Sequence, residues 1–332
     1  MLFTNIILFA SCATAFSLPD VSSVLPLFAR ASGKGSDGSG SSGGSGSGGK
    51  GSGKSGTCPP VWNEISKVLT RKFLTDGQCN PDARAAIRLI FHDCGAWNVT
   101  QGAKGGCDGS LVLSGELERG ENKGLGPIAG YVQGLATDYG VSVADMVVFA
   151  GNHATVTCPG GPQVKTYVGR TDSYTQAPEG LLPDVNAPAA DLFKLFQQKG
   201  FDAVDLAALL GAHSTSNQFN FDTSEKAKGL PQDSTPGVWD VKYYSETTNP
   251  PKGIVVLPSD AKLAAHPTVG KEFKGFVKNQ GKWTGKFADA MGKMALFGSD
   301  GTKGLIDCTS ALPSTTNVKR EMKGMPMFAP RH

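Results

Sequence analysis

The sequence predicts a mainly α-helical protein, and three observations carry that reading. Apolar residues recur at spacings of three and four along several stretches, residues 81–94 foremost; few stretches alternate between apolar and polar; and Gly- and Pro-rich connections separate the patterned segments. With 332 residues, 39% hydrophobic and 18% charged, the chain can bury one large core or two small ones.

Taken in order, residues 1–15 read as a secretory signal peptide. The run from Ile6 to Ala10 is apolar but too short to span a bilayer, and Ala13-Thr14-Ala15 is a small-x-small cleavage pattern, with only the terminal amine as a basic n-region. Residues 16–30 fit a propeptide. Residues 31–57 are almost wholly Gly and Ser, interrupted by Lys34, Lys50 and Lys54. Such a linker is a solvated coil with a reach of roughly 30 Å. A passive spacer is the simpler reading, and association of its lysines with a cell-wall polymer is the sharper one. A folded domain then occupies residues 58–332.

Helical spacing is found over residues 61–69, 81–94, 143–150, 189–198, 202–213 and parts of 273–297. The segments 157–162 and 230–237 read as ordered loops. A net charge of +3, scattered along the chain, does not point to nucleic acid, and neither a membrane span nor a lipid-anchor tail is visible. Of seven cysteines, Cys12 lies in the signal. The other six, Cys58, Cys79, Cys94, Cys107, Cys158 and Cys308, suit three bridges in an oxidising compartment, with fifteen connectivities open on spacing alone. Asn98-Val99-Thr100 permits glycosylation.

The residues that carry chemistry begin with Arg88 and His92, four apart on an otherwise apolar helix that Pro81 suits to open. A permanent cation beside an imidazole suits heterolysis: the imidazole takes and returns a proton while the cation stabilises departing negative charge. Alone, that spacing more often decorates a surface. His213 ends the apolar stretch 202–213, where an isolated histidine is more often a hydrogen-bonded core residue. His153 lies in a run of small residues, His266 precedes Pro267, and His332 is terminal, so His92 and His213 stand out. Oxygen donors follow each: Asp93 and residues 105–110 after His92, Ser214 and residues 233–240 after His213. Each set alone could be an Asp-capped turn, but the paired placement favours calcium.

At this point the order of Arg88-Leu89-Ile90-Phe91-His92-Asp93, Gly106-Cys107-Asp108-Gly109-Ser110, Asn122-Lys123-Gly124-Leu125, residues 141–145, 210–214 and 233–240, and Leu257-Pro258-Ser259-Asp260 resembles the plant-type haem peroxidase superfamily, most closely its secreted fungal class II members. The resemblance covers residues 58 to about 313. It implies a mostly helical fold with haem b between a distal and a proximal half. Position by position, it implies that His92 is the distal acid–base residue and Arg88 its cation. Phe91 covers the haem, and Asn122, supported by Glu116, fixes the tautomer of His92. His213 becomes the axial iron ligand and Asp260 the acceptor behind it. Two calcium ions are implied, one on Asp93, Gly106, Asp108 and Ser110, the other on Ser214, Asp233, Thr235, Val238 and Asp240. Bridges Cys58–Cys308 and Cys79–Cys158 follow class II, whereas a Cys94–Cys107 pair resembles the short distal bridge of the secreted plant class III enzymes.

Departures bear on substrate. Manganese-oxidising members carry carboxylates where this chain has Pro81, Ala85 and Phe219, lignin-oxidising members an exposed tryptophan where it has Ala208, and other relatives an aromatic ring where it has Gln232. The expected activity is therefore extracellular, monomeric peroxide reduction coupled to one-electron oxidation of small phenolic or aromatic donors. Two alternatives compete: a non-enzymatic wall or matrix module stiffened by calcium and disulfides, and a manganese peroxidase with its metal site moved, for example to Asp82.

Overall fold

The structure, a computed structural model, describes residues 56–316. The expected signal peptide, the propeptide, the three lysines of the linker and the C-terminal tail lie outside the described residues.

Helix α1 (Val61–Phe73) buries Trp62, Ile65, Leu69 and Phe73, spaced three, four and four, as one stripe. A two-residue ribbon, β1 (Leu74–Thr75) with β2 (Gln78–Cys79), turns the chain into α2 (Pro81–Cys94). The Asn80 side chain accepts from the Asp82 and Ala83 amides and Pro81 fills the first turn, so the start of α2 is doubly specified. A short α3 (Ser110–Leu113) and α4 (Gly126–Tyr139) lead to α5 (Val143–Thr157), whose fifteen residues are all buried. The α5 N-terminus is satisfied by Ser142 and by the Asp172 carboxylate, which accepts from the amides of Val143 at 3.1 Å and Ala144 at 2.9 Å. Helices α1, α2 and α4 all pack on α5. The α2–α5 crossing is close because Gly151 lies beneath Ile90: a Cβ there would stand 2.3 Å from Ile90 Cγ2.

The second group comprises α6 (Ala189–Gln198), α7 (Ala203–Leu210), α8 (Lys242–Thr248), α9 (Pro258–Ala265), α10 (Val269–Gly275) and α11 (Gln280–Met294). Helices α10 and α11 pack on α7, which opens with a reciprocal cap between Asp202 and Asp205. Strands β3 (Tyr167–Val168) and β4 (Ile306–Asp307) pair antiparallel. The buried Arg170–Asp145 pair at 3.0 Å, with Arg170 Nη2 donating to Ala295 O at 2.5 Å, ties α5 to the chain just after α11. Disulfides join Cys58–Cys308, Cys79–Cys158 and Cys94–Cys107. Little strand is present, as the spacing predicts. Periodicity does not reveal α4, which carries Gly126, Gly130 and Gly134, nor α8 and α9, which at seven and eight residues are too short to register.

Candidate active site

Because Arg88 and His92 lie one turn apart on α2, helix geometry stacks them, and Arg88 Nε–H donates to His92 Nε2 at 3.1 Å. The guanidinium is held by two carbonyls, Lys123 O from Nη1 at 2.9 Å and Glu121 O from Nη2 at 2.8 Å. Asn122 sits between those two carbonyl residues and is 1% exposed. Its Nδ2 donates to Glu116 O at 2.8 Å, so its Oδ1 faces His92 Nδ1 at 2.7 Å. An amide oxygen can only accept; Nδ1 must carry the proton and Nε2 the lone pair. Glu116 thus supports Asn122 through its backbone carbonyl. Its carboxylate is occupied by Ser114, the Ala177 amide and Arg119.

Burial first, and then the charge of Arg88, push the His92 pKa down to about 3 against the opposing hydrogen bond to Asn122. The imidazole is a free base at any pH above that. Phe91 stands edge-on to His92, with ring centroids 5.6 Å apart and an interplanar angle of 85°, and stacks on Phe196.

His213 lies in the 3₁₀ turn Gly211–Thr215 that continues α7, not in the α-helix proper. Gly211 lets that turn pack closely on Trp283 and Tyr244: a Cβ would stand 2.3 Å from Trp283 Nε1 and 2.4 Å from the Tyr244 hydroxyl. His213 Nδ1–H donates to Asp260 Oδ2 at 2.7 Å, which fixes the ring by Nδ1 and leaves Nε2 facing away from the acid. Burial alone would lower the His213 pKa, but the Asp260 carboxylate outweighs it and raises it. The ring lies deep among protein atoms and yet 33% of its side chain is accessible, while Asp260 is 1% exposed. With Nδ1 bonded to the buried acid and part of the ring accessible, the arrangement suits an axial ligand of haem iron.

The two oxygen-rich segments also converge. Asp93, 2% exposed, accepts from the Gly109 amide at 3.1 Å and the Leu111 amide at 3.2 Å. Burial and the neighbouring Asp108 nevertheless raise its pKa to about 8. Gly106 has φ 76°, and a Cβ there would meet Phe297 O at 2.5 Å, so the loop carrying Gly106, Asp108 and Ser110 needs glycine at that point. In the other segment, Asp233 is fully buried with its Oδ2 unpartnered, and the Ser214 hydroxyl is likewise buried and unpartnered. Burial raises Asp233 to about 8. Thr235 Oγ1 donates to Asp240 Oδ2 at 2.8 Å, and Val238 follows in the same turn. In this second segment, the orphaned oxygens of Ser214 and Asp233, beside a carboxylate held above its usual range, fit a hard cation. Among the described residues no three His, Cys, Asp or Glu side chains cluster as a metal site, so such a cation would also need the hydroxyls and carbonyls.

Sequence reasoning passes over three residues here. His153 is fully buried in α5 and hydrogen-bonded to Ser66 O at 2.9 Å and Thr157 at 3.1 Å, a core histidine whose small neighbours hide it. Lys199, 1% exposed, extends Nζ to the carbonyls of Gly95, Trp97 and Leu181, each at 2.7 Å, beyond the end of α2. Tyr243 donates its hydroxyl to Asp260. None of the three stands in a local pattern.

Comparison with known proteins agrees with this geometry. The peroxidase family model matches residues 64–279. Ligninase LG5 of Phanerodontia chrysosporium is 28% identical over 293 residues, covering 81% of this chain and 78% of its own. Ligninase C of Trametes versicolor is 30% identical, with coverages of 75% and 73%. The low-redox potential peroxidase of Taiwanofungus camphoratus is 31% identical, with coverages of 76% and 77%. Together with two imidazoles fixed through their Nδ1 atoms, these matches establish that the chain belongs to the peroxidase family, on the fungal class II side of the plant-type superfamily, and is a haem peroxidase.

Proposed function

We propose that this protein is an extracellular peroxidase in which His92 and Arg88 activate hydrogen peroxide and small phenolic or aromatic compounds supply the electrons. The observation that carries the reading is the pair of 2.7 Å bonds, His92 to an amide oxygen and His213 to a carboxylate, which hold each ring by Nδ1 and leave its Nε2 turned away from that partner. His213 and Phe91 would hold haem b, which would supply redox-active iron chemistry at this site.

The side chains do the rest. His92 Nε2 accepts the proton of the peroxide oxygen that stays and returns it to the oxygen that leaves, and Arg88 stabilises the negative charge on the departing atom. Asn122 keeps the lone pair on Nε2, and Asp260 pulls on the His213 N–H. One peroxide and two donors, each giving an electron and a proton, yield two waters and two donor radicals.

Small donors are favoured because Trp62, Trp97, Trp239 and Trp283 are no more than 9% exposed, leaving no tryptophan at the surface for a bulky substrate. Ala208, where a surface tryptophan would be expected, is fully buried with its carbonyl taken by Trp283 Nε1 at 3.0 Å. A relative described as a low-redox potential peroxidase is consistent with that choice. Manganese is disfavoured: Pro81, Ala85 and Phe219 offer no charge, and Asp82 is already paired to Lys72 at 2.9 Å. The paired cysteines and the signal-like N-terminus support export. Two calcium ions, on Asp93, Gly106, Asp108 and Ser110 and on Ser214, Asp233, Thr235, Val238 and Asp240, complete the proposal.

The test is steady-state turnover of the purified haem protein with phenols, non-phenolic aromatics and Mn²⁺. Efficient phenol oxidation with negligible manganese turnover is expected; saturable manganese kinetics lost on Asp82→Ala would overturn the donor assignment.

A further inference from the structure

Asp260 does not serve His213 alone. Its Oδ2 accepts from His213 Nδ1–H at 2.7 Å and also from the Tyr243 hydroxyl at 2.9 Å, while Ser259 Oγ donates to Oδ1 at 3.0 Å. Asp260 and Tyr243 are each 1% exposed, so water does not compete for these bonds. The Tyr243 ring is fixed without its hydroxyl. It stands edge-on to His213 (5.9 Å, 82°), Tyr244 (5.3 Å, 71°) and Phe273 (5.6 Å, 64°). Tyr244, the next residue, sends its own hydroxyl to Ala207 O at 2.9 Å. Of the two tyrosines on α8, therefore, one satisfies helix backbone and the other reaches the acid behind the imidazole.

Two donors on one carboxylate oxygen share its acceptor strength, so each is pulled less than it would be alone. The electron density that an imidazole gives through Nε2 depends on how strongly its Nδ1 proton is drawn away. We infer that Tyr243 is a positioning residue that tempers the proximal pair: its hydroxyl takes up part of Asp260, so iron bound at His213 has a higher reduction potential than the carboxylate would otherwise set. This rests on the assignment of His213 as the haem ligand.

Tyr243→Phe removes the hydroxyl and keeps the ring. In the haem-loaded variant the ferric/ferrous equilibrium should move toward ferric by about three- to tenfold, tenfold being about 59 mV for one electron. The iron–imidazole stretch of the ferrous protein should rise in frequency. Ser259→Ala, which unloads the other oxygen, should move both in the same direction by less, and it keeps the test open if Tyr243→Phe fails to fold. An unchanged or more positive potential in the folded variant, with an unmoved stretch, overturns the inference. A wild-type protein with no Soret band would instead break the haem reading beneath it.

Discussion

The distal and proximal halves of this protein solve one problem in opposite ways. Each holds a histidine by its Nδ1 proton at 2.7 Å from a buried oxygen, but the distal oxygen belongs to the Asn122 amide and the proximal one to the Asp260 carboxylate. A neutral acceptor beside Arg88 leaves burial in charge, and His92 is held down to about 3. A charged acceptor outweighs burial, and His213 is raised. In the proposed mechanism one imidazole carries the proton and the other binds the iron, although the two rings are chemically the same. The neighbour on Nδ1 decides the role, not the histidine.

The comparison breaks hardest at His92. His92→Leu should slow peroxide turnover by about 10²–10⁴-fold while haem stays bound, read as the bimolecular rate of the spectral change on mixing with peroxide. Retention of the wild-type rate would remove the distal half from the account. Exchanging the acceptors sharpens it. Asn122→Leu, which leaves Nδ1–H without an acceptor, should slow the same step by about 10–100-fold. Asp260→Asn, which gives the proximal ring an amide like the distal one, should weaken haem retention by a similar factor.

A smaller effect is expected with pH. The proposed mechanism uses the free base of His92, whose pKa is pushed down to about 3, so the peroxide rate should be flat above about pH 4 and fall about tenfold per unit below pH 3. In His92→Leu that acid limb should vanish. The smallest effect concerns the two proposed calcium ions. Chelation should lower the melting temperature by about 5–10 °C, consistent with losing roughly 2.7 kcal/mol of ligand linkage, and added Ca²⁺ should restore it. A Ser214→Ala, Asp233→Ala protein should lose most of that calcium response.

What could be read from the sequence follows the distance over which each feature is built. Arg88 and His92 share one helical turn, so their pairing is a matter of spacing. The start of α2 is equally local, because Asn80 and Pro81 each act within three residues. Asn122 and Asp260 are different. They reach their histidines across 30 and 47 positions, and only the order of motifs in a known family brings them together in advance. Lys199 bonds carbonyls 104 and 102 positions away, at Gly95 and Trp97, and no pattern in the linear chain announces it. Tyr243 goes unnoticed for the same reason. Its two-residue Tyr-Tyr step on a seven-residue helix carries no periodic signal, and its meaning depends on where α9 delivers Asp260. The reading of residues 202–213 as one helix also stops short, since α7 ends at Leu210 and the chain continues as a 3₁₀ turn packed against Trp283 and Tyr244 at Gly211.

The division of labour between the two imidazoles is tested most directly by the Soret spectrum of the purified haem protein recorded beside His213→Ala and His92→Leu. The account predicts an intact, haem-loaded spectrum in His92→Leu and a lost or displaced band in His213→Ala. An unaltered band in His213→Ala, or loss of pigment on replacing His92 alone, would contradict it.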